Sequence, residues 1–100
     1  MVEAVENLTC VEGVVRACRR HPSLPDRTLV TLAVQHAEPV PGKADFMPDV
    51  AGRDLDVAVR SALLGKVKDG ARLRCRVKRT PAGVMCEAHP AAGDFTLTAA

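Results

Sequence analysis

The stretch Lys66–Pro90, KVKDGARLRCRVKRTPAGVMCEAHP, carries the clearest structural signal in the chain. Between Ala71 and Arg79, apolar and basic residues alternate strictly, and this period of two places one face of a strand in a core and the other in solvent. An Asp-Gly pair precedes the strand and Thr-Pro-Ala-Gly follows it, and both are turn signals. The stretch therefore predicts a β-hairpin whose second strand is Val84–His89.

The register of this hairpin follows from the direction of its side chains. Setting Arg79 opposite Val84 keeps one face apolar, whereas a slip of one residue mixes the two faces. The same register predicts four more pairs, which are Val77 with Cys86, Cys75 with Ala88, Arg76 with Glu87, and Arg74 with His89. The Arg76–Glu87 pair would neutralise part of the basic row, for roughly 0.2–1 kcal/mol.

Length and composition indicate one folded domain, which we expect to span residues 1–100. The chain is 47% hydrophobic and 26% charged, as is ordinary for a globular protein. It has two Phe, no Tyr and no Trp, so the core must be built from Val, Leu and Ala. The net charge of +2 divides into −2 for residues 1–50 and +4 for residues 51–100. This asymmetry indicates a basic surface on the second half, although far weaker than in a dedicated nucleic-acid protein.

The sequence contains no segment with the pattern of a membrane span or a signal peptide. No apolar run approaches the ~20 residues that a membrane helix needs. Met1–Leu8 lacks the basic start and the apolar block of a signal peptide. We therefore expect a cytoplasmic protein with no membrane partner, and a mature chain whose signal has been removed is the alternative.

Outside the hairpin, hydrophobic alternation and turn residues predict further strands and one short helix. A first strand at Leu8–Arg16 contains Gly13, which indicates a bulge or a sharp curl. A second strand at Thr28–Gln35 is apolar on both faces, as is typical of a central strand. The remaining predictions are a third strand at Asp54–Arg60, a helical turn from Ser61 as its cap to Leu64 that ends at Gly65, and a last edge strand at Asp94–Thr98. Between them, His36–Arg53 is predicted to be a long irregular segment.

This order of elements is that of an OB-fold barrel. The runs Asn7–Val15 and Thr28–Val34 look like the opening strands of the primosomal replication protein B and single-stranded DNA-binding protein group. Val67–Cys75 resembles that group's fourth strand, where a Gly precedes an alternating run. The resemblance implies an all-β, five- to six-stranded OB-like barrel with one short helical turn. The chain departs from the group in its aromatic residues. Members of the group stack bases on aromatic side chains, which is worth ~1–3 kcal/mol per base. This chain offers only Phe46 and Phe95.

Two basic sets are candidate phosphate contacts. In an OB barrel the loop joining the first two strands borders the ligand cleft, and guanidinium groups suit bidentate contact with phosphate. The two basic sets together predict a non-enzymatic module that binds single-stranded DNA or RNA without a cofactor. The two sets are Arg72, Arg74, Arg76 and Lys78 from the hairpin, and Arg16, Arg19 and Arg20 beside the first loop. The alternative is that the hairpin row is only a solvated face.

Two other functions fit parts of the sequence. A structural or adaptor domain would dock to a protein partner, or to another copy of the chain, through the Pro-rich loop His36–Pro48 or an exposed strand edge. A metal carrier would use His36 and Met47, which resemble the His-x-x-Pro segment and downstream Met of small periplasmic copper chaperones. The second Met and the Trp of that family's site are missing, which favours a loop His and a packed Met.

The cysteines and acidic residues do not form a recognisable reactive site. Cys10 and Cys18, and likewise Cys75 and Cys86, lack the short spacing of zinc sites. In the predicted register Cys75 and Cys86 are diagonal, ~7–8 Å apart at Cα, which is beyond disulfide reach. We expect buried free thiols. Cys18 and His21 supply only two metal ligands, and no catalytic triad spacing or phosphate-binding Gly loop is present.

Overall fold

The computed structural model describes residues 6–99 of the chain. The elements follow one another as β1 (Thr9–Arg20), β2 (Arg27–Pro39), β3 (Asp54–Arg60), α1 (Ser61–Leu64), β4 (Arg72–Thr80), β5 (Gly83–Cys86) and β6 (Phe95–Thr98). The predicted bounds of β3 and α1 are confirmed, because alternation ends at Arg60 and Gly65 takes a positive φ of 57° after the helix. Ser61 was expected to cap the helix, but Arg60 holds that position without a side-chain cap.

The strands close into a barrel. Neighbours run in the order β1-β2-β3-β5-β4, and β4 pairs back with β1. Among these five strands, as residues 6–99 form them, the pairings are antiparallel except that of β3 with β5, where Val57 lies opposite Val84 and Ala58 opposite Met85. The sixth strand, β6, lies outside this circuit and pairs with β4. The prediction of an all-β, OB-like barrel with one short helical turn is confirmed.

Alternating apolar residues fill the barrel. The fully buried side chains are mostly Val and Leu, as the composition predicted, and they come from four of the strands: Val11, Val15, Val30, Leu32, Val57, Val59, Leu73, Cys75 and Val77, each 0% exposed. The alternation of β4 is confirmed, since its apolar members face this core and its basic members face outward.

The first strand pairs along both of its edges, and two irregularities let it do so. Its register against β2 shifts between Glu12 and Gly13 and again between Val15 and Ala17. At Gly13 the backbone of β2 is so close that an added Cβ would overlap the carbonyl oxygen of Ala33. The predicted bulge at Gly13 is confirmed, and it bends β1 so that its first half reaches β4.

The hairpin register is confirmed near the turn and wrong further away. Val77 lies opposite Cys86, and Glu87 N still donates to the carbonyl oxygen of Arg76 at 3.1 Å. Beyond that point the predicted pairs Cys75–Ala88 and Arg74–His89 do not form. Cys75 instead lies opposite Phe95, and Arg74 opposite Thr96, because the chain turns at residues 88–94 and returns as β6.

The long segment before β3 is anchored to the barrel. It begins at Val40 rather than at His36, because β2 continues to Pro39. Asp45 Oδ1 accepts hydrogen bonds from Thr9 Oγ1 at 2.6 Å and from Met47 N at 3.0 Å. Met47 is 3% exposed and belongs to the core cluster. The segment is therefore part of the barrel wall at this end.

No helix within residues 6–99 is long and apolar enough to cross a lipid bilayer.

Candidate nucleic-acid interface

The outer face of β4 presents the predicted basic row. The hydrogen-bond partner of its first member, Arg72, is an uncharged amide. Both terminal nitrogens of Arg72 donate to Gln35 Oε1, each at 2.9 Å. An amide oxygen fixes the direction of the guanidinium without neutralising it. Arg72 is thus positioned by β2 and remains exposed.

The next two members of the row are paired with acidic side chains. Arg74 lies 3.5 Å from Glu38 and donates to the carbonyl oxygen of Gly93 at 3.3 Å. Arg76 pairs with Asp94 at 3.4 Å, and not with Glu87 as the hairpin register predicted. The reason is that β5 ends at Cys86, whereas the turn before β6 brings Asp94 to Arg76. Two charges of the row are therefore offset.

The second predicted set lies at the far end of β1. Arg19 is opposite Leu29 on β2 and pairs with Asp56 at 3.4 Å, and Asp56 also accepts from Thr31 Oγ1 at 2.7 Å. Arg16 and Arg20 are exposed and have no ion pair with residues 6–99. Arg72 faces Val14 across the other edge of β1. Val14 and Arg19 are about 16 Å apart along an extended strand, and within the described chain no hydrogen bond or ion pair links the two basic sets.

A cleft of about 360 Å³ lies between the β1–β2 loop and the β4–β5 turn. These loops frame the ligand site of OB folds. Here the cleft is lined by apolar side chains, among them Leu24, Leu29 and Met85, and its acidic group is Asp56. Asp56 is already paired with Arg19, and no Lys or Arg of residues 6–99 lines this cleft, so the loop cleft offers a polyanion little attraction.

A different cleft combines an aromatic ring with guanidinium groups. Phe46 is 44% exposed and is the one exposed large hydrophobic side chain among residues 6–99. It lines a cleft of about 320 Å³ together with Arg53, Arg79 and Leu55. Arg79 also lines a neighbouring cleft of about 470 Å³ that includes Lys78. Arg79 therefore lies between Phe46 in one cleft and Lys78, the end of the β4 row, in the other.

The backbone at this junction is fixed from outside the hairpin. Asn7 Oδ1 accepts from Arg79 N at 2.8 Å, and Asn7 Nδ2 donates to the carbonyl oxygen of Arg79 at 3.1 Å. Asn7 is 8% exposed, which protects both bonds from water. These bonds hold the Arg79 backbone while its side chain is exposed.

The charges around this junction differ from those of the hairpin row. Arg53, Lys78 and Arg79 form no ion pair with other residues of the described range, whereas Lys43 pairs with Glu6 at 3.0 Å. Asp49 and Asp54 line the same cleft as Phe46 and balance the charges of Arg53 and Arg79, so the formal charge of its lining is zero. Their presence means that stacking on the ring must contribute alongside charge.

This junction was missed by sequence reasoning. The sequence shows Phe46 only as one of two aromatic residues, and Arg79 only as the last residue of the alternating stretch. Their proximity depends on the hydrogen bond from Thr9 to Asp45, which joins residues 36 positions apart in the chain. A lone aromatic between two prolines of a long loop was the available signal.

The copper-carrier residues do not share a site in this structure. His36 is exposed and lines a cleft with Cys10, Glu12 and Arg74. Met47 is buried in the core, as the packing alternative predicted. Within residues 6–99 no group of three or more His, Cys, Asp or Glu side chains is placed to hold a metal ion.

All four thiols are free. Cys10, Cys75 and Cys86 are buried and Cys18 is partly exposed, as expected for cysteines that act as small hydrophobes. A hydrogen bond to Cys86, together with burial, raises the pKa of Cys75 well above its usual 9.0. Burial also raises the pKa of Cys10, so the thiols of Cys75 and Cys10 are protonated and unreactive at neutral pH.

The chain was also compared with proteins that are already known. Searches of protein-family models, of curated proteins and of solved structures found no match.

Proposed function

We propose that this protein is a non-enzymatic module that binds single-stranded nucleic acid at the end of the barrel where Phe46, Arg79 and Lys78 meet. The observation that carries the proposal is that Arg79 lines both the cleft of Phe46 and the cleft of Lys78. An exposed ring beside cations that lack acidic partners is the combination that single-strand binding requires. The OB-like barrel supports the same function by analogy of fold alone.

Each group has a separate role in this proposal. A base stacks on Phe46, for roughly 1–3 kcal/mol. The guanidinium groups of Arg53 and Arg79 contact the flanking phosphates, and their forked geometry allows two hydrogen bonds to one phosphate. Lys78 continues the path onto the outer face of β4.

The predicted hairpin row extends this path. Arg72 and Lys78 are six residues apart on β4, about 20 Å along the strand. Glu38 and Asp94 offset Arg74 and Arg76, so this part of the path adds little attraction. Binding should therefore be modest in affinity, tolerant of sequence and sensitive to salt.

The state of the cysteines is relevant to the cellular compartment in which the protein works. Disulfides are rare in the cytoplasm, where thiols are kept reduced. The four free cysteines support our proposal that the protein works in the cytoplasm.

The test is fluorescence anisotropy with a labelled single strand of about 20 nucleotides, as DNA and as RNA, at low and high salt. Phe46→Ala and the double variant Lys78→Glu/Arg79→Glu should each weaken binding about tenfold or more. The control is Lys66→Glu/Lys68→Glu, which reverses two exposed cations that line a separate groove. No binding of the native protein at low salt overturns the proposal. Equal losses for both double variants would also overturn it, because general charge would then explain the binding.

The hairpin row and the barrel end can be told apart in the same assay. The double variant Arg72→Glu/Arg74→Glu changes the row and leaves Phe46 and Arg79 in place. We expect it to weaken binding less than Lys78→Glu/Arg79→Glu does. If Arg72→Glu/Arg74→Glu weakens binding more than Lys78→Glu/Arg79→Glu does, the nucleic-acid site lies at the middle of β4 instead.

A further inference from the structure

One edge of the last strand, β6, pairs with no other strand in the described part of the chain. β6 pairs with β4 from Phe95 opposite Cys75 to Thr98 opposite Arg72. Within residues 6–99 it pairs with no second strand, whereas each of the five barrel strands has a neighbour on both sides. An open strand edge presents N–H and C=O groups that can pair with an added strand.

A groove of about 540 Å³ runs beside the end of this strand. On one side it is lined by Leu97, Thr98 and Ala99, and on the other by the connection between α1 and β4. Leu64 is 5% exposed there and forms part of the apolar floor. Val67 and Leu97 are partly buried against the same core. The groove can therefore take apolar side chains from a strand laid along β6.

The rim of the groove is basic. Lys66 and Lys68 are exposed and line the groove, and neither forms an ion pair with the described part of the chain. The acidic residue on the rim is Asp69. The rim thus carries one net positive charge next to an apolar floor.

We propose that this edge binds an extended acidic segment of another protein, which adds a strand to β6. Backbone hydrogen bonds to Phe95–Thr98 hold the segment, its apolar side chains enter the groove, and its carboxylates meet Lys66 and Lys68. A second copy of this chain fits less well, because β6 is Phe-Thr-Leu-Thr and carries no acidic group to those lysines. The surface is separate from the proposed nucleic-acid site, since the two share no lining residue.

The probe is a labelled peptide of about eight residues in which valines alternate with glutamates, long enough for one strand. Its matched control replaces every glutamate with lysine. We expect the acidic peptide to bind and to shift the backbone amide resonances of Thr96, Leu97 and Thr98 in NMR spectra. The basic peptide should bind at least about tenfold more weakly.

Variants separate this surface from the other one. Lys66→Glu/Lys68→Glu should lower the affinity for the acidic peptide about tenfold. Lys78→Glu/Arg79→Glu should leave that affinity unchanged. Methylating the peptide amides along one edge should abolish binding, whereas methylating the opposite edge should not. Both lysines are exposed, so their replacement does not disturb the core.

Three results would overturn the proposal. The first is no binding of the acidic peptide at about 1 mM. The second is binding whose amide shifts lie away from β6 and the groove. The third is a dimer in sedimentation that Lys66→Glu/Lys68→Glu leaves intact and that protects the β6 amides, since a second copy would then occupy the edge.

Discussion

Gly13 lies against the backbone of Ala33 so closely that no side chain fits between them, since an added Cβ would overlap the carbonyl oxygen of Ala33. The obstacle is backbone, which cannot move aside as a flexible side chain would. We expect Gly13→Ala to lower the free energy of unfolding by about 3 kcal/mol, at the upper end of overpacking effects. Urea denaturation followed by circular dichroism measures the change.

A second glycine provides the control for this substitution. Gly42 has a φ of 80° and open space around its Cα. Gly42→Ala therefore costs only the positive φ, about 1 kcal/mol. If both variants lose the same stability, close approach to Ala33 is not what requires glycine in β1.

Asp45 holds the segment between β2 and β3 through two hydrogen bonds. Asp45→Ala removes the acceptor of Thr9 Oγ1 and of Met47 N, and Thr9 is 0% exposed, so its hydroxyl is left without a partner. We expect a loss of about 2 kcal/mol and faster hydrogen exchange at the Met47 amide. Asp49→Ala is the matched control, because Asp49 is exposed and its side chain forms no hydrogen bond with residues 6–99. Unchanged exchange at Met47 would show that other contacts anchor the segment.

Salt dependence distinguishes the roles of charge and stacking at the proposed nucleic-acid site. Three phosphate contacts on a single strand give a slope of about −2 for log K against log salt. Lys78→Glu/Arg79→Glu removes two of these contacts and should bring the slope to about −0.7, the value for the one contact that Arg53 keeps. Phe46→Ala should lower affinity by about 1–3 kcal/mol and leave the slope unchanged, because a phenyl ring releases no counterions. A slope that falls with Phe46→Ala would assign the ring a structural role instead.

In the folded protein, a thiol reagent should react with Cys18 alone. The other three cysteines are buried, and Cys18 is partly exposed. Burial raises the pKa of Cys18 above its usual 9.0, and the charge of Asp69 acts in the same direction. Because the thiolate is the reactive form, its rate at neutral pH should be below that of free cysteine and should keep rising beyond pH 9.

The measurement is the reaction with an aromatic disulfide reagent, followed by absorbance. One thiol should react in the native protein and all four after unfolding. Cys18→Ser should remove the native reaction. If that reaction persists in Cys18→Ser, the barrel opens far enough to expose an interior thiol.

Local pattern was enough to predict most of the strands. β3 and α1 were predicted with their observed bounds, because alternation ends and a glycine follows within one short stretch. The register of Val77 and Cys86 followed from keeping one face apolar. These features depend on neighbours in sequence, so the sequence alone contains the information that determines them.

Features that depend on distant residues were not predictable in the same way. Nothing near Cys75 indicates that Phe95 will replace Ala88 as its partner. The pairing of Arg76 with Asp94 follows from that exchange. The candidate site also needs a distant contact, because Asp45 positions the segment that carries Phe46. A one-dimensional charge pattern therefore overstated the basic row and missed the barrel end.

The double pairing of β1 has a consequence for synthesis of the protein. Val11 pairs with Cys75, which leaves the ribosome about sixty residues later. At translation rates of about 5–20 residues per second, one edge of β1 stays open for several seconds. During that interval a nascent chain can meet another copy through an edge that the finished barrel hides. The risk of aggregation therefore falls on newly made chains more than on the folded protein.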